Sequence, residues 1–228
     1  MGSKNKLKRF KENEIFSNVI QPTREEVLNN TLTLKGNWNR DFFKNENPIV
    51  LELGCGKGEY SLNLAIMFPE KNFLGIDIKG ARFWRGAKTA KEESIPNVAF
   101  LRTKIEFIDR YFDKDEVSEI WLTFSDPQPK DEKGTKRITS PVFIERYKKI
   151  LKPGSLINVK TDSVLLYELS KEGYLENGYD ILQDSQDVYG QLVNEVDDDL
   201  KAALEIVTYY ENRWLLEGKK THFLQLKV

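Results

Sequence analysis

The sequence is poor in the residues that build covalent or metal-based stability: among 228 residues there is one cysteine, Cys55, and one histidine, His222. A lone thiol excludes an internal disulfide, and a single imidazole beside it argues against an all-protein zinc site. No apolar run approaches the ~20 residues of a membrane-spanning helix. Lys6, Lys8 and Arg9 near the start are not followed by the apolar stretch and cleavage pattern of a secretion signal. The expectation is a soluble, cytoplasmic protein that makes no membrane contact. An excess of either charge is missing as well, since 35 Lys and Arg face 36 Asp and Glu for a net charge of −1. That balance excludes a uniformly cationic coat and leaves only local patches, at the N-terminus and at Lys130, Lys133, Lys136 and Arg137. Each patch taken alone is as readily a solvated face as a nucleic-acid contact. Internal repeats and low-complexity tracts are absent too.

What is present is 39% hydrophobic residues in a chain long enough for one substantial core. After a polar lead-in, Ile49-Val50-Leu51-Glu52-Leu53 is a short apolar run closed by glycines, the pattern of a buried strand. A helical pattern follows over Glu59–Phe68, then a strand over Asn72–Ile78, a helix over Gly80–Glu93 and a strand over Val98–Arg102. Glu119–Phe124 is a fourth strand, stopped by Pro127 and Pro129. The rest alternates in the same way. Helices are expected over Pro141–Leu151, Ser163–Tyr174 and Leu204–Glu217, strands over Ser155–Lys160, Gly178–Leu182 and Thr221–Val228, and a polar loop over Asp184–Asp199. Such alternation implies a doubly wound, mainly parallel α/β sheet covered on both faces. The chain divides into 1–47, a basic arm and lead-in, and 48–228, one α/β domain.

Between the first strand and the first helix of that domain lies Glu52-Leu53-Gly54-Cys55-Gly56-Lys57-Gly58. Glycines there let the loop turn sharply and let a ligand approach the backbone, beside the free N–H groups of the helix start. Asp77 ends the next strand 19 residues after Gly58, where a carboxylate can accept hydrogen bonds from the two hydroxyls of an adenosine ribose. Two cofactor classes share this pairing, the nicotinamide dinucleotides and S-adenosyl-L-methionine. The spacing Gly-x-Gly-x-Gly lacks the last glycine of the dinucleotide fingerprint, with Tyr60 in or next to its place. Glu52 would also oppose a pyrophosphate but suit a sulfonium and an ammonium. Like charges ~4 Å apart repel by about 4 kcal/mol at an effective dielectric of about 20, enough to favour the methyl donor.

The second constellation is Phe124-Ser125-Asp126-Pro127-Gln128-Pro129-Lys130. In an open α/β sheet ligands lie outside the carboxyl ends of the strands, so Asp126 should face the same crevice as the glycine loop. Its carboxylate is held stiffly, because Pro127 drives the residue before it toward extended backbone.

With these residues in place the chain resembles the bacterial tRNA (guanine-N7)-methyltransferases along nearly its whole length. The shared segments are Glu52–Gly58, Gly75-Ile76-Asp77, Phe124-Ser125-Asp126-Pro127, Lys136-Arg137, Lys160-Thr161-Asp162 and Thr208-Tyr209-Tyr210-Glu211. The resemblance implies a Rossmann-like class I methyltransferase fold, mostly parallel with a C-terminal antiparallel strand. It implies S-adenosyl-L-methionine held by Glu52, Gly54, Gly56, Gly58, Asp77, Lys104 and Asp126. Asp126 is the candidate catalytic residue. Lys130, Arg137, Asp162, Thr208, Tyr209, Tyr210 and Glu211 are implied as tRNA contacts. The implied reaction carries a methyl group to N7 of a variable-loop guanosine. The alternatives are a methyltransferase with another acceptor and a tRNA-binding protein without turnover. No metal and no protein partner are indicated, and a monomer or a homodimer fits equally.

Two positions depart from the family pattern. Lys104 stands where members usually carry an Asp beside the adenine, and an ammonium cannot accept the amino hydrogen. Gln128 replaces the usual Trp, and fewer cations follow it, so RNA affinity is expected to lean on Lys6, Lys8 and Arg9 of a mobile arm. Trp38, Trp84, Trp121 and Trp214 are expected mostly in the core. The chemistry suits a chain with one remote histidine: guanine N7 presents an in-plane lone pair, so no base has to remove a proton before attack. Alignment and electrostatic support are what remain for the protein. Duplex RNA hides N7 in a deep, narrow groove, so the target base must be unpaired or turned out.

Overall fold

The computed structural model describes residues 3–29, 31–131 and 133–228; Met1 and Gly2 of the expected arm lie outside them. Among the described residues, eight strands form one sheet in the order β1-β4-β3-β2-β5-β6-β8-β7. These are β1 (Val19–Ile20), β2 (Ile49–Leu53), β3 (Asn72–Asp77), β4 (Val98–Arg102), β5 (Val117–Thr123), β6 (Leu151–Thr161), β7 (Asp180–Ser185) and β8 (His222–Lys227). All neighbours pair parallel except β8, which runs antiparallel to β6 and β7. The doubly wound, mainly parallel sheet is the architecture the alternating pattern implied, and the closing antiparallel strand is the one the family resemblance implied.

Each central strand divides its side chains between two cores with the period of two that a pleated strand imposes. Leu51 and Leu53, Leu74 and Ile76, Ala99 and Leu101, and Ile120 and Leu122 enter one core. Val50, Phe73, Val98, Phe100 and Trp121 enter the other. Burial on both faces is why these segments read as unbroken apolar runs. The first core is covered by α5 (Pro141–Tyr147) and α6 (Val164–Glu176). The second is covered by α3 (Glu59–Met67), α4 (Gly80–Glu92) and α7 (Asp198–Leu204).

The N-terminal segment differs from the expected loose arm. Its described residues form α1 (Ser3–Ile15), which packs along α4. The Asn13 amide donates to Gly80 O at 2.9 Å, Trp84 Nε1 donates to Glu12 at 2.5 Å, and Arg9 stacks 4.8 Å from the Trp84 ring. A short helix α2 (Arg24–Asn29) and a turn of π-helix at Trp38–Phe43 lead into β2. Trp38 is fully buried, as expected for a core tryptophan, and its Nε1 donates to Tyr111 O at 2.9 Å.

The C-terminal third also departs from the pattern. β7 continues through Asp184 and Ser185, and the expected polar loop holds a 3-10 turn at Leu192–Asn194 and the start of α7, capped by Asp197. The helix expected over Leu204–Glu217 begins only at Tyr209, as α8 (Tyr209–Leu216), and α7 ends at Leu204, where the sequence pattern places the start of that helix. Thr208 starts α8 with a capping box, and the linker before it is held by a buried lysine, Lys160, whose Nζ donates to Leu204 O and Ile206 O, both at 2.8 Å.

Crowding around Phe100 sets how closely the glycine loop sits against the sheet. A side chain at Gly86 would lie 2.9 Å from Lys57 O and 2.9 Å from the Phe100 ring, while Gly86 N donates to Lys57 O at 3.1 Å. Gly58 has φ +74° and would place a Cβ 2.3 Å from the same ring. Only glycine allows α4, the loop and Phe100 to meet. Gly86→Ala is therefore expected to lower stability by about 1–3 kcal/mol through overpacking against backbone. A chemical-denaturation midpoint equal to that of the parent would contradict this reading.

Candidate active site

The order of strands reverses between β2 and β5, and ligands in open α/β sheets bind at that point, outside the carboxyl ends. Four loops meet there: Gly54–Gly58 after β2, Ile78-Lys79 after β3, Thr103-Lys104 after β4 and Phe124–Lys130 after β5. A cleft of about 890 Å³ runs across their tips, lined among others by Gly54, Asp77, Lys104, Ser125, Asp126 and Asp162. A second cleft of about 510 Å³ adjoins it over the glycine loop and shares Gly54, Arg82, Phe124 and Trp214.

Glu52 is the floor of the second cleft, 4% exposed and almost filled with hydrogen bonds. Oε2 accepts from Ser61 N at 2.9 Å and from the Ser61 hydroxyl; Oε1 accepts from the Thr123 hydroxyl at 2.7 Å. Burial pushes its carboxyl up to about 7, against the opposing pull of these donors. Asp77 ties the glycine loop to β3. One oxygen accepts from Gly56 N at 3.1 Å, the other from Lys79 N at 2.7 Å. Gly54 N and Cys55 N both donate to Ile76 O, at 2.7 and 3.1 Å, so the loop is anchored by backbone as well.

The segment after β5 is bent by two residues in left-handed backbone, Phe124 at φ +49° and Gln128 at φ +48°. Neither is glycine, and such conformations cost of order 1–3 kcal/mol each unless the surroundings impose them. Phe124 N donates to Lys160 O at 2.8 Å, and Asp126 Oδ1 accepts from Gln128 N at 2.9 Å, closing a turn over Pro127. The turn leaves Asp126 exposed at the cleft. Ser125 Oγ beside it is a buried hydroxyl oxygen with no partner among the described residues.

The expected substrate residues separate into two groups. Asp162 lines the larger cleft, where burial raises its carboxyl above the ordinary range. Tyr209 and Tyr210 are 56% and 52% exposed, Thr208 and Tyr210 line the second cleft, and Lys130 is exposed on the loop after β5. Arg137 and Glu211 are corrected by their surroundings. Arg137 is buried beneath the loop, its guanidinium donating to Pro127 O at 3.2 Å and Asp131 O at 3.1 Å, so it holds the loop's shape while its neighbour Lys136 reaches the cleft. Glu211 is 0% exposed. It pairs with Lys160 at 2.9 Å, accepts from the Tyr189 hydroxyl at 2.6 Å and closes the capping box of α8 with Thr208. Neither carboxylate oxygen is left for a substrate. Burial lowers the Lys160 ammonium to about 8, opposed by Glu211.

Lys104 is exposed at the cleft, and its carbonyl already accepts from Phe107 N at 3.0 Å and the Thr103 hydroxyl at 3.3 Å. Arg82 and Ser125 lie at the clefts without having been singled out; Arg82 sits in a stretch that reads as an ordinary amphipathic helix. Trp121 is core, as expected, but Trp214 is only partly buried, lines both clefts and packs 5.4 Å from Phe124.

With this geometry established, known proteins supply the context. A family model described as "Putative methyltransferase" matches residues 46–224. A protein from Christiangramia forsetii called tRNA (guanine-N(7)-)-methyltransferase is 52% identical over 228 residues, covering all of both chains. One of the same description from Bacteroides fragilis is 47% identical, over 97% of this chain and 85% of that one. One from Cytophaga hutchinsonii is 35% identical over 99% and 98%. Among solved structures, the 16S rRNA methyltransferase KamB superposes with TM-score 0.60 at 16% identity, covering 83% of this chain and 91% of that one. A SAM-dependent methyltransferase from Aquifex aeolicus gives 0.54 at 14% identity, over 98% of each. At these identities the structural likeness speaks for the fold alone.

The buried pair gives a test of local structure. Lys160→Met strands the Glu211 carboxylate and is expected to cost about 3–5 kcal/mol. Lys160→Met with Glu211→Gln, which keeps the α8 cap, should recover a large part of that loss. Equal denaturation midpoints for the single and double variants would contradict the pairing.

Proposed function

The chain belongs to the tRNA (guanine-N(7)-)-methyltransferase family, and from that premise we propose that its strand-tip cleft carries a methyl group from S-adenosyl-L-methionine to N7 of an unpaired guanosine in the variable loop of tRNA. The observation that carries the reading is the convergence of Glu52, Asp77 and Asp126 at the one place where the strand order reverses.

The residues present suit such a cofactor. Three carboxylates favour a cation over a pyrophosphate, the glycine backbone is open to close approach, and the Ser125 hydroxyl has no partner among the described residues. Glu52, Gly54, Gly56 and Asp77 would hold it, with Lys104 at its edge, while Gly58, which lines neither cleft, packs the loop on Phe100. When bound it supplies a methyl group already activated on a sulfonium.

The rest of the chemistry falls to the protein. Guanine N7 attacks through an in-plane lone pair, so no group has to take a proton first. This suits a chain whose one histidine is 6% exposed in β8, its ring centroid 5.2 Å from that of Tyr167. Positive charge develops on the base as N7 is methylated, and the Asp126 carboxylate on its stiff turn stabilises that charge. Asp162 accepts from the base's N–H edge, and Trp214 with Phe124 supplies an apolar wall that excludes water. Lys130 contacts a neighbouring phosphate. The 48–228 region forms the catalytic domain on this reading, with 1–47 as an accessory segment.

Asp126→Ala is expected to lower kcat at least about 100-fold with little change in cofactor affinity. Asp77→Ala should instead weaken binding of S-adenosylhomocysteine about tenfold or more, measured by calorimetry. Full activity in both variants would refute the assignment.

Glu52 gives a pH signature. Its carboxyl sits near 7 in the free protein, and a nearby sulfonium favours the carboxylate, so cofactor binding should release a proton and weaken as pH falls below 7. In the free protein the sign for stability is opposite: unfolded Glu52 ionises near 4.5 and folded Glu52 near 7, so its contribution to stability declines as pH rises between them. Calorimetry in two buffers of different ionisation enthalpy should detect the released proton, and Glu52→Gln should abolish it. An unchanged proton count in that variant would place the release elsewhere.

A further inference from the structure

We propose that Lys219 and Asp162 together choose the acceptor base: Lys219 donates to O6 of the guanine while Asp162 accepts from its N–H edge, a pairing that admits guanine and rejects adenine. This rests on the reaction proposed above and adds to it the group that sets which purine is taken.

The two side chains reach the larger cleft from neighbouring strands. β6 and β8 run antiparallel with Thr161 opposite His222, so Asp162, the next residue after β6, and Lys219, three before His222, leave the sheet at the same edge. Both line the cleft, as does Trp214. Lys219 N donates to Trp214 O at 3.0 Å and its Nζ lies 5.8 Å from the centre of the Trp214 ring, so the ammonium is held near an aromatic face. It also pairs with the exposed Glu217 at 3.6 Å, a contact worth little in water and readily exchanged for a ligand. The same ammonium favours the Asp162 carboxylate, against the burial that raises it. A donor and an acceptor thus share one wall. That wall is remote from the residues given to the cofactor's edge: β6 is four inter-strand spacings from β4, roughly 19 Å, which separates Asp162 from Lys104 and leaves Asp126, after β5, between them.

Both purines offer N7 in the same place, so N7 alone cannot tell them apart. On guanine the acceptor O6 sits between N7 and the N1–H donor, with the N2 amino group beyond; adenine reverses the pattern, with an amino group at position 6 and an acceptor at N1. An ammonium has donors only and a carboxylate acceptors only. Adenine would therefore meet donor with donor at Lys219 and acceptor with acceptor at Asp162. A site built to hydrogen-bond a substrate group rejects the analogue that cannot answer it, because its own polar groups are then left unpaired. An ammonium at O6 does nothing for the positive charge that develops at N7, so its contribution falls on binding rather than on the chemical step.

The test uses synthetic tRNA carrying guanosine, inosine or adenosine at the target variable-loop position, bound to protein loaded with S-adenosylhomocysteine so that no turnover is needed. Inosine keeps O6 and N1–H, and adenosine reverses both. The parent should bind the inosine tRNA at least about tenfold more tightly than the adenosine tRNA. Lys219→Met should weaken the guanosine and inosine complexes by about that factor and leave the adenosine complex no weaker, while Lys219→Arg, which keeps a charged donor, should keep the preference. In turnover Lys219→Met should act on KM for the guanosine tRNA more than on kcat. An unaltered preference in Lys219→Met would overturn the proposal. So would an equal loss for all three RNAs, which would make Lys219 a phosphate contact. If the preference and its loss are seen but no 7-methylguanosine forms, the reaction fails and the base-reading pair stands; if 7-methylguanosine forms without the preference, the pair fails and the reaction stands.

Discussion

Glu52 joins the tip of β2 to the first turn of α3 through Ser61 and to the tip of β5 through Thr123. Those are the two strands between which the sheet changes direction, so one carboxylate spans the crevice where everything functional gathers. Asp77 does the corresponding work on the other side, bonding to the amide of Gly56. A glycine loop has little intrinsic preference for one shape, and here Asp77 and the carbonyl of Ile76 choose it, while Glu52 holds the helix that follows. The same acids give the cleft its sign. Holding an acid in a site this dry is unfavourable without a cation, which is why Glu52 sits near 7 and why a sulfonium suits the place.

A second polar group organises the opposite wall. Lys160 projects from β6 into the core, where an unpartnered ammonium would be costly. It takes two carbonyls from the end of α7 and the linker and the Glu211 carboxylate from α8. In doing so it ties the end of α7 and the linker to α8, whose Tyr210 and Trp214 line the clefts. Glu211 thus acts on the site from beneath, by placing α8.

Much of this was legible before any coordinates. The strands β2 to β5 and the helices between them follow from apolar runs, glycines and prolines, because central parallel strands are buried on both faces and tolerate little else. The glycine loop, Asp77 and the Asp126 turn could be placed at one edge of the sheet from strand order alone. Side-chain direction could not. Lys136 and Arg137 are adjacent, and only the fold shows that the first reaches the cleft while the second is folded under the loop. Glu211 reads as an exposed helical acid until its buried partner, 51 residues earlier, is seen. The boundary between α7 and α8 answers to the local capping box of Thr208 and Glu211 as well as to Lys160. The N-terminal helix was missed because its apolar contacts are few and its hold on α4 is largely hydrogen bonding and cation stacking.

The account stands or falls on what the cleft makes. Purified protein should be incubated with unmodified tRNA and labelled S-adenosyl-L-methionine, and the RNA digested and its nucleosides mapped by mass spectrometry. The account predicts label in 7-methylguanosine from a single variable-loop position. Label in any other nucleoside, or none in RNA while a protein or small molecule is labelled, would contradict it.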